Sequence, residues 1–391
     1  MKFSFLRSNS GILVCLLTVC LTTVTLFQNC SPGALFDSRS GDTSSALAST
    51  APVENPVATP APQDGSPAAP FQIWNVTDFK NFAAKINDDK KKNYSKNYSS
   101  WILMANINLK GIDGGTLMMP AFRGTLDGNF FTISNFTLDC DKTAIVCGPY
   151  VGLFEDTYNA TIKNLNFIGF DIRVTKRQSP DYVQYIGGLV GQFSTGSISK
   201  VRSQGRILAE GGLNESQLFG VGGLAGYLNQ TSVKMLVAEI NLSGNSTPYA
   251  VGGLAGKNCN TTIDDSYAIG DIYGGWFVGG LSGACGSGGS TYAVKNSYYL
   301  GQLTKLSTTG WGACDYVAPL GTAQGEALRE NRTKFSDSFW VGSSSCSVIY
   351  SNSLGMSDYA AANTQLKADP LIWKTSATAW PQLLWLDQIK P

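Results

Sequence analysis

From residue 150 onward, apolar and glycine positions recur in a fixed frame. The segments are Tyr150-Val151-Gly152-Leu153-Phe154, Ile186-Gly187-Gly188-Leu189-Val190-Gly191, Val221-Gly222-Gly223-Leu224-Ala225-Gly226, Val251-Gly252-Gly253-Leu254-Ala255-Gly256 and Val278-Gly279-Gly280-Leu281-Ser282-Gly283. Their leucines stand 36, 35, 30 and 27 residues apart. Nine residues after each of the first four leucines comes a β-branched residue, Ile162, Ile198, Val233 or Ile263, and Val294 follows the fifth after thirteen. Constant inner spacing with variable outer spacing describes a repeated unit carrying loops of different length, which is a solenoid. Each unit holds short β-branched or alternating stretches cut by Gly and Asn, and none has helical period. The pattern predicts a right-handed parallel β-helix, an all-β fold in which equivalent strands stack about 4.8 Å apart and equivalent side chains form ladders. Leu153, Leu189, Leu224, Leu254 and Leu281 should make one inward ladder, and Ile162, Ile198, Val233, Ile263 and Val294 another.

The ends of such a stack expose strand edges that need cover. Val76, Phe79, Phe82, Ala83 and Ile86 fall at helical intervals, with Thr77 or Asp78 available as N-cap, so a helix within an N-terminal cap (71–100) should close the first coil. Asp88 to Lys96 reads as a solvated, charged loop. Trp340, Trp373, Trp380 and Trp385 are expected to close the last coil, within a C-terminal cap of about 305–391.

The units Gly252-Gly253-Leu254-Ala255-Gly256 followed by Thr262-Ile263-Asp264-Asp265-Ser266-Tyr267-Ala268-Ile269-Gly270, and Gly279-Gly280-Leu281-Ser282-Gly283 followed by Val294-Lys295-Asn296-Ser297-Tyr298-Tyr299-Leu300-Gly301, resemble GLUG repeats. Such repeats belong to bacterial surface proteins, including the non-catalytic part of immunoglobulin A peptidases and filamentous-haemagglutinin-like adhesins. The stretches 101–109 and 122–138 resemble the strand pair that opens these β-helices, and 379–385 their closing segment. The resemblance spans residues 71–391 and implies a β-helix on a cell surface. The Val233 unit departs from it, with Ile240 where others place Gly270 or Gly301. Peptidase activity is not implied, because its His-Glu-x-x-His zinc helix needs histidine and the chain has none.

Upstream of the repeats the chain changes character. Lys2 and Arg7 precede an apolar run from Gly11 to Phe27, the pattern of a signal peptide over 1–29. Phe27-Gln28-Asn29-Cys30 resembles the lipobox of bacterial lipoproteins, with Asn29 and Phe27 departing from its usual residues. The resemblance implies lipid (palmitate-type acyl chains) on Cys30 and, with Ser31 rather than Asp next, the bacterial outer membrane, facing periplasm or cell surface. Residues 31–70 hold seven Pro among Ala, Ser and Thr and read as a tether. Such a tether spans roughly 35 Å as a coil and about 120 Å fully extended.

With 29 basic against 28 acidic residues, the chain lacks the bulk charge of a nucleic-acid binder. Without His it lacks the usual general base and metal ligand, so no catalytic residue, metal or cofactor is expected. Cys140, Cys147, Cys259, Cys285, Cys314 and Cys346 remain after the leader and Cys30, an even number suited to an oxidising compartment. Proximity predicts Cys140 with Cys147, coil stacking Cys259 with Cys285, and elimination Cys314 with Cys346. Asp127 lies in turn-like Leu-Asp-Gly-Asn, and Asp264, Asp265 and Asp271 align with Lys295, Asn296 and Gln302 of the next unit. No set of carboxylates on successive coils is visible, which argues against a glycosidase. Tyr267, Tyr298, Tyr299, Trp276 and Trp311 form either a ligand-facing aromatic surface or an internal ladder. The favoured reading is an adhesion or binding module for a glycan or protein; the alternatives are an envelope spacer or a carbohydrate-active enzyme.

Overall fold

In the computed structural model, the described residues are 63–91, 98–142, 147–175, 184–210, 218–243, 250–274, 277–285, 292–305 and shorter stretches between 317 and 391. They belong to the unit Pro60–Pro391. The chain winds as a parallel β-solenoid of about six turns. The repeated Gly-Gly strands, Tyr150–Val151, Gln184–Gly187, Leu218–Gly222, Ala250–Gly252, Phe277–Gly279 and Val317–Ala318, form one sheet, and the remaining coil strands form a second, much larger one.

Both predicted ladders are present, and every leucine of the first is fully buried. At this corner the Leu281 carbonyl accepts from both Leu254 N–H (2.9 Å) and Ala255 N–H (3.0 Å), and the Leu254 carbonyl accepts from Leu224 and Ala225 in the same way. The turn thereby keeps its backbone polar groups paired while pushing leucine inward. The preceding glycines allow the close approach: a Cβ on Gly253 would lie 2.3 Å from the Gly280 carbonyl of the next coil. The second ladder runs in register from Leu126 through Ile162, Ile198, Val233, Ile263 and Val294 to Phe335.

Two further corners turn on residues with positive φ. One column is Asn159, Thr195, Gln230 and Asn260; the other is Asn164, Lys200, Met235, Asp265 and Asn296. Asn and Asp tolerate this left-handed conformation best, which explains their punctuation of the sequence. Beside the second corner a column of buried serines takes over the coil-to-coil bonding. Leu236 N–H donates to Ser266 Oγ, Ser266 N–H to Ser297 Oγ and Ser297 N–H to Ser338 Oγ, at 3.0 to 3.2 Å.

The N-terminal helix α1 runs Val76–Lys91 and lays Phe79, Phe82, Ala83 and Ile86 on the first coil, where Phe82 meets Trp101 at 4.6 Å. Its N-cap is Asn75, not Thr77 or Asp78. Asn75 Oδ1 accepts from Asp78 N–H (3.0 Å), the bond of an N-cap, and Asp78 Oδ2 accepts from Trp74 N–H (3.0 Å), just ahead of the cap. The helix also takes in the start of the expected loop at Asp88; 92–97 lie outside the described residues.

Beyond residue 305 the described strands Gly321–Ala323, Thr333–Ser336 and Phe339–Val341 continue the coil stacking, the last on Tyr298–Leu300. Leu366 and residues 368–391 then run along the outside as a strap. Trp373, Leu383 and Trp385 pack on Val237, Tyr267 and Tyr298, which face outward from consecutive coils. The strap ends against the early coils, where Lys390 N–H donates to the Phe130 carbonyl (2.8 Å) and its ammonium sits 4.0 Å from the Phe131 ring. Those outward aromatics leave an apolar stripe that the tryptophans cover, so they lie along the stack and not at its tip. Trp340 lies in a coil strand, opposite Tyr299 in the register.

Cys140 and Cys147 are disulfide-bonded. The register places Lys257 opposite Ala284, hence Asn258 opposite Cys285, and buried Cys259 is one residue further along. The coil alignment expected to bring Cys259 to Cys285 is therefore one residue out of register, and neighbouring positions along a strand point to opposite faces. Cys30, Cys314 and Cys346 lie outside the described residues.

Candidate functional site

A groove of about 910 Å³ follows a further corner of the coils, just beyond the Asn164–Asn296 column. Its floor is glycine: Gly169, Gly205 and Gly270 leave the corner without side chains. Gly270 has φ +123°, and a Cβ there would lie 2.0 Å from the Ile240 carbonyl, so neither the conformation nor the coil contact accepts a larger residue. Tyr299 supports this corner from within; it is fully buried, and its hydroxyl lies 2.8 Å from the Gly270 carbonyl oxygen and 2.9 Å from that of Gln302.

One wall is the outward column Ser134, Ile168, Gln204, Glu239 and Ile269, stacked in register on five coils. The other wall includes Asn241, Asp271 and Tyr273. Ile269 and Tyr273 are each 37% exposed, giving the groove an apolar patch among amides and carboxylates. Arg202 grips Glu239 through both oxygens, Nε to Oε1 at 3.1 Å and an Nη to Oε2 at 2.7 Å. Just beyond the groove Arg206 grips Asp171 in the same way, at 3.1 and 2.9 Å. These pairs hold side chains in place across neighbouring coils. Asp271 Oδ1 accepts from Gln302 N–H (3.0 Å) and brings a further carboxylate to a lining that contains no lysine or arginine.

The sequence-predicted candidates fall elsewhere. Tyr267 and Tyr298 stack at 4.8 Å with rings nearly parallel, but the strap buries them, and Tyr299 points into the core; none of the three faces a ligand. Burial pushes all three phenols up, Tyr298 well above its ordinary value. Trp276 and Trp311 lie outside the described residues. Asp264 and Asp271 are not drawn together with Asp265, which turns toward the strap: Trp373 Nε1 donates to Asp265 Oδ1 at 3.1 Å, and burial raises the carboxyl pKa. Asp127 caps its own turn, accepting from Asn129 N–H (2.8 Å) and pairing with Lys163. Glu239, Gln204 and Asn241 were missed. Their signal was positional, each aligning with a polar residue one unit away once coils are stacked. Among the described residues, no group of three or more His, Cys, Asp or Glu side chains could hold a metal ion.

Residues 247–273, which span the Leu254 turn, the Ile263 rung and the groove's Ile269-Gly270-Asp271, match the GLUG motif family. One GLUG motif is therefore present in the chain. Two relatives match part of the chain. A protein provisionally described as a Gly-rich membrane protein of Evansella cellulosilytica is 35% identical over 114 residues, 29% of this chain and 12% of that protein. Halomucin of Haloquadratum walsbyi is 34% identical over 134 residues, 33% of this chain and 1% of its own length. The chain thus spans a small part of these relatives. Among solved structures, a provisionally described immunoglobulin A1 protease of Bacteroides ovatus superposes with a TM-score of 0.56 at 17% identity, covering 82% of this chain and 94% of that one. At that identity the likeness is one of fold: the chain winds into the same kind of β-helix.

Proposed function

We propose that this GLUG-repeat protein is a binding module of the bacterial envelope, exported by residues 1–29, anchored through lipid on Cys30, and held off the membrane by the Pro-rich tether to residue 70. The observation that carries the reading is the groove: a polar, partly aromatic channel across five coils, beside a neighbouring face closed by the strap. Two of its three nearby carboxylates are gripped by guanidinium through both oxygens, an arrangement for fixing charge and shape and not for passing a proton. Binding is therefore favoured over turnover. The provisional description of the Evansella relative as a membrane protein supports an envelope setting.

The test has two parts. Cys30→Ala should move the protein from the membrane to the soluble fraction, because the acyl chains supply about 0.8 kcal/mol per buried methylene. An unchanged distribution, with an unchanged N-terminal peptide mass, would rule out the anchor. Cells or beads displaying residues 63–391 should adhere to host or bacterial surfaces, and Tyr273→Ala with Asn241→Ala should abolish adhesion; adhesion indifferent to both changes would rule out the groove as the binding face.

A further inference from the structure

We propose that the groove takes an extended, uncharged polysaccharide lying along the solenoid axis, with one sugar unit per coil. This rests on the groove being the binding face and goes on to name its ligand.

Repeat length favours a linear chain along the axis. Wall residues from Ser134 to Ile269 recur once per coil, so with parallel strands about 4.8 Å apart the column is about 19 Å long. The coil rise is close to the length of one pyranose unit in an extended chain. A linear glycan therefore meets an equivalent set of groups at every unit, whereas a branched or compact sugar would lose register after the first.

The lining chemistry suits hydroxyls and ring faces. Gln204 and Asn241 offer amide donors and acceptors, and Asp271 offers acceptors, which is what paired hydroxyls require. Tyr273 and Ile269 supply partly exposed apolar surface for the C–H faces of sugar rings. Charge favours a neutral ligand. The lining holds carboxylates and no cation, and the nearby Arg202 and Arg206 are engaged by Glu239 and Asp171. A uronate or sulfated chain would meet like charge along the channel.

An extended peptide fits less well. Peptides that lie along sheets add a strand by bonding to free backbone edges. Here the backbone at the groove is committed between coils, as in Gly270 N–H to the Leu300 carbonyl (3.0 Å) and Asn135 N–H to the Ile168 carbonyl (3.0 Å). The glycine floor thus presents backbone already paired between coils, not a strand edge for a peptide to extend.

Calorimetric titration of the folded chain with neutral β-linked gluco-, manno-, xylo- and galacto-oligosaccharides, from disaccharide to hexasaccharide, tests the proposal against polygalacturonate and heparin. Affinity in at least one neutral series should rise with length and level off at about four or five units, where the column ends. The polyanions should not bind. Tyr273→Ala and Asn241→Ala, both outward-facing, should each weaken the neutral ligand roughly tenfold, the loss of about one good contact. Asp271→Lys should let polygalacturonate bind. Failure of every neutral series, or affinity independent of length, overturns the proposal. If the same variants still abolish surface adhesion, the glycan class alone falls; if adhesion ignores them, the binding-face reading falls with it.

Discussion

Leu254→Ala should lower folding stability by about 2–5 kcal/mol, the range for deleting a buried leucine and leaving part of its volume empty. The upper half of that range is expected. Leu254 is fully buried between Leu224 and Leu281, and its own backbone and that of Ala255 are bonded to the Leu281 carbonyl. Coil spacing is fixed by these bonds, so the neighbours cannot move in to fill the gap. In a solenoid each unit is stabilised chiefly by its two neighbours, and the cavity weakens both interfaces at once. Exposed Lys234, one coil earlier, gives the control: Lys234→Ala should stay within about 0.5 kcal/mol of the parent. Urea unfolding of the three proteins decides the matter. A Leu254→Ala midpoint shift no larger than that of Lys234→Ala would remove the ladder from the core.

That ladder was legible in the sequence for the reason that makes the prediction large. Inward positions must hold similar side chains at matching places in every coil, and the turns around them need glycine, so Leu254 and Ile263 carry a strong periodic signal. Outward positions obey no such constraint. The groove wall runs Ile168, Gln204, Glu239 and Ile269, a series with no common chemistry. Its floor is interrupted by Ile240, so the corner reads as a degenerate repeat and not as a site. Alternation along a strand explains the tyrosines: adjacent Tyr298 and Tyr299 point to opposite sides, yet both are buried, one by the core and the other by a strap some 80 residues later. Nothing local at Tyr298 encodes the strap. The tryptophans 373 and 385 did announce that the C-terminal segment must bury apolar surface; where it does so depends on the outward stripe Val237, Tyr267 and Tyr298, recognisable only after the register is known.

The strap gives the second large effect. Trp373→Ala should cost about 3–5 kcal/mol, as for a buried tryptophan truncated in a core. Trp373 is 2% exposed, its ring centres 6.3 Å from Tyr267 and 5.9 Å from Tyr298, and its indole N–H is bonded to Asp265. Its removal opens the cluster to water and frees the strap from the coils, while α1 still covers the first one. The loss should also depend on pH. Burial, the largest influence on Asp265, raises its pKa above the ordinary 3.8, and the Trp373 bond opposes it only in part. A raised carboxyl favours the protonated folded state, so its stabilising contribution is complete below the unfolded pKa and disappears as pH rises through the folded one. The variant exposes the carboxylate and abolishes that contribution. The stability gap between parent and Trp373→Ala should therefore be widest in acid and narrow with rising pH above about 3.8. Urea titrations of both proteins across this window measure it directly; a gap that is constant, or that widens with pH, would show that the strap does not hold Asp265 out of water.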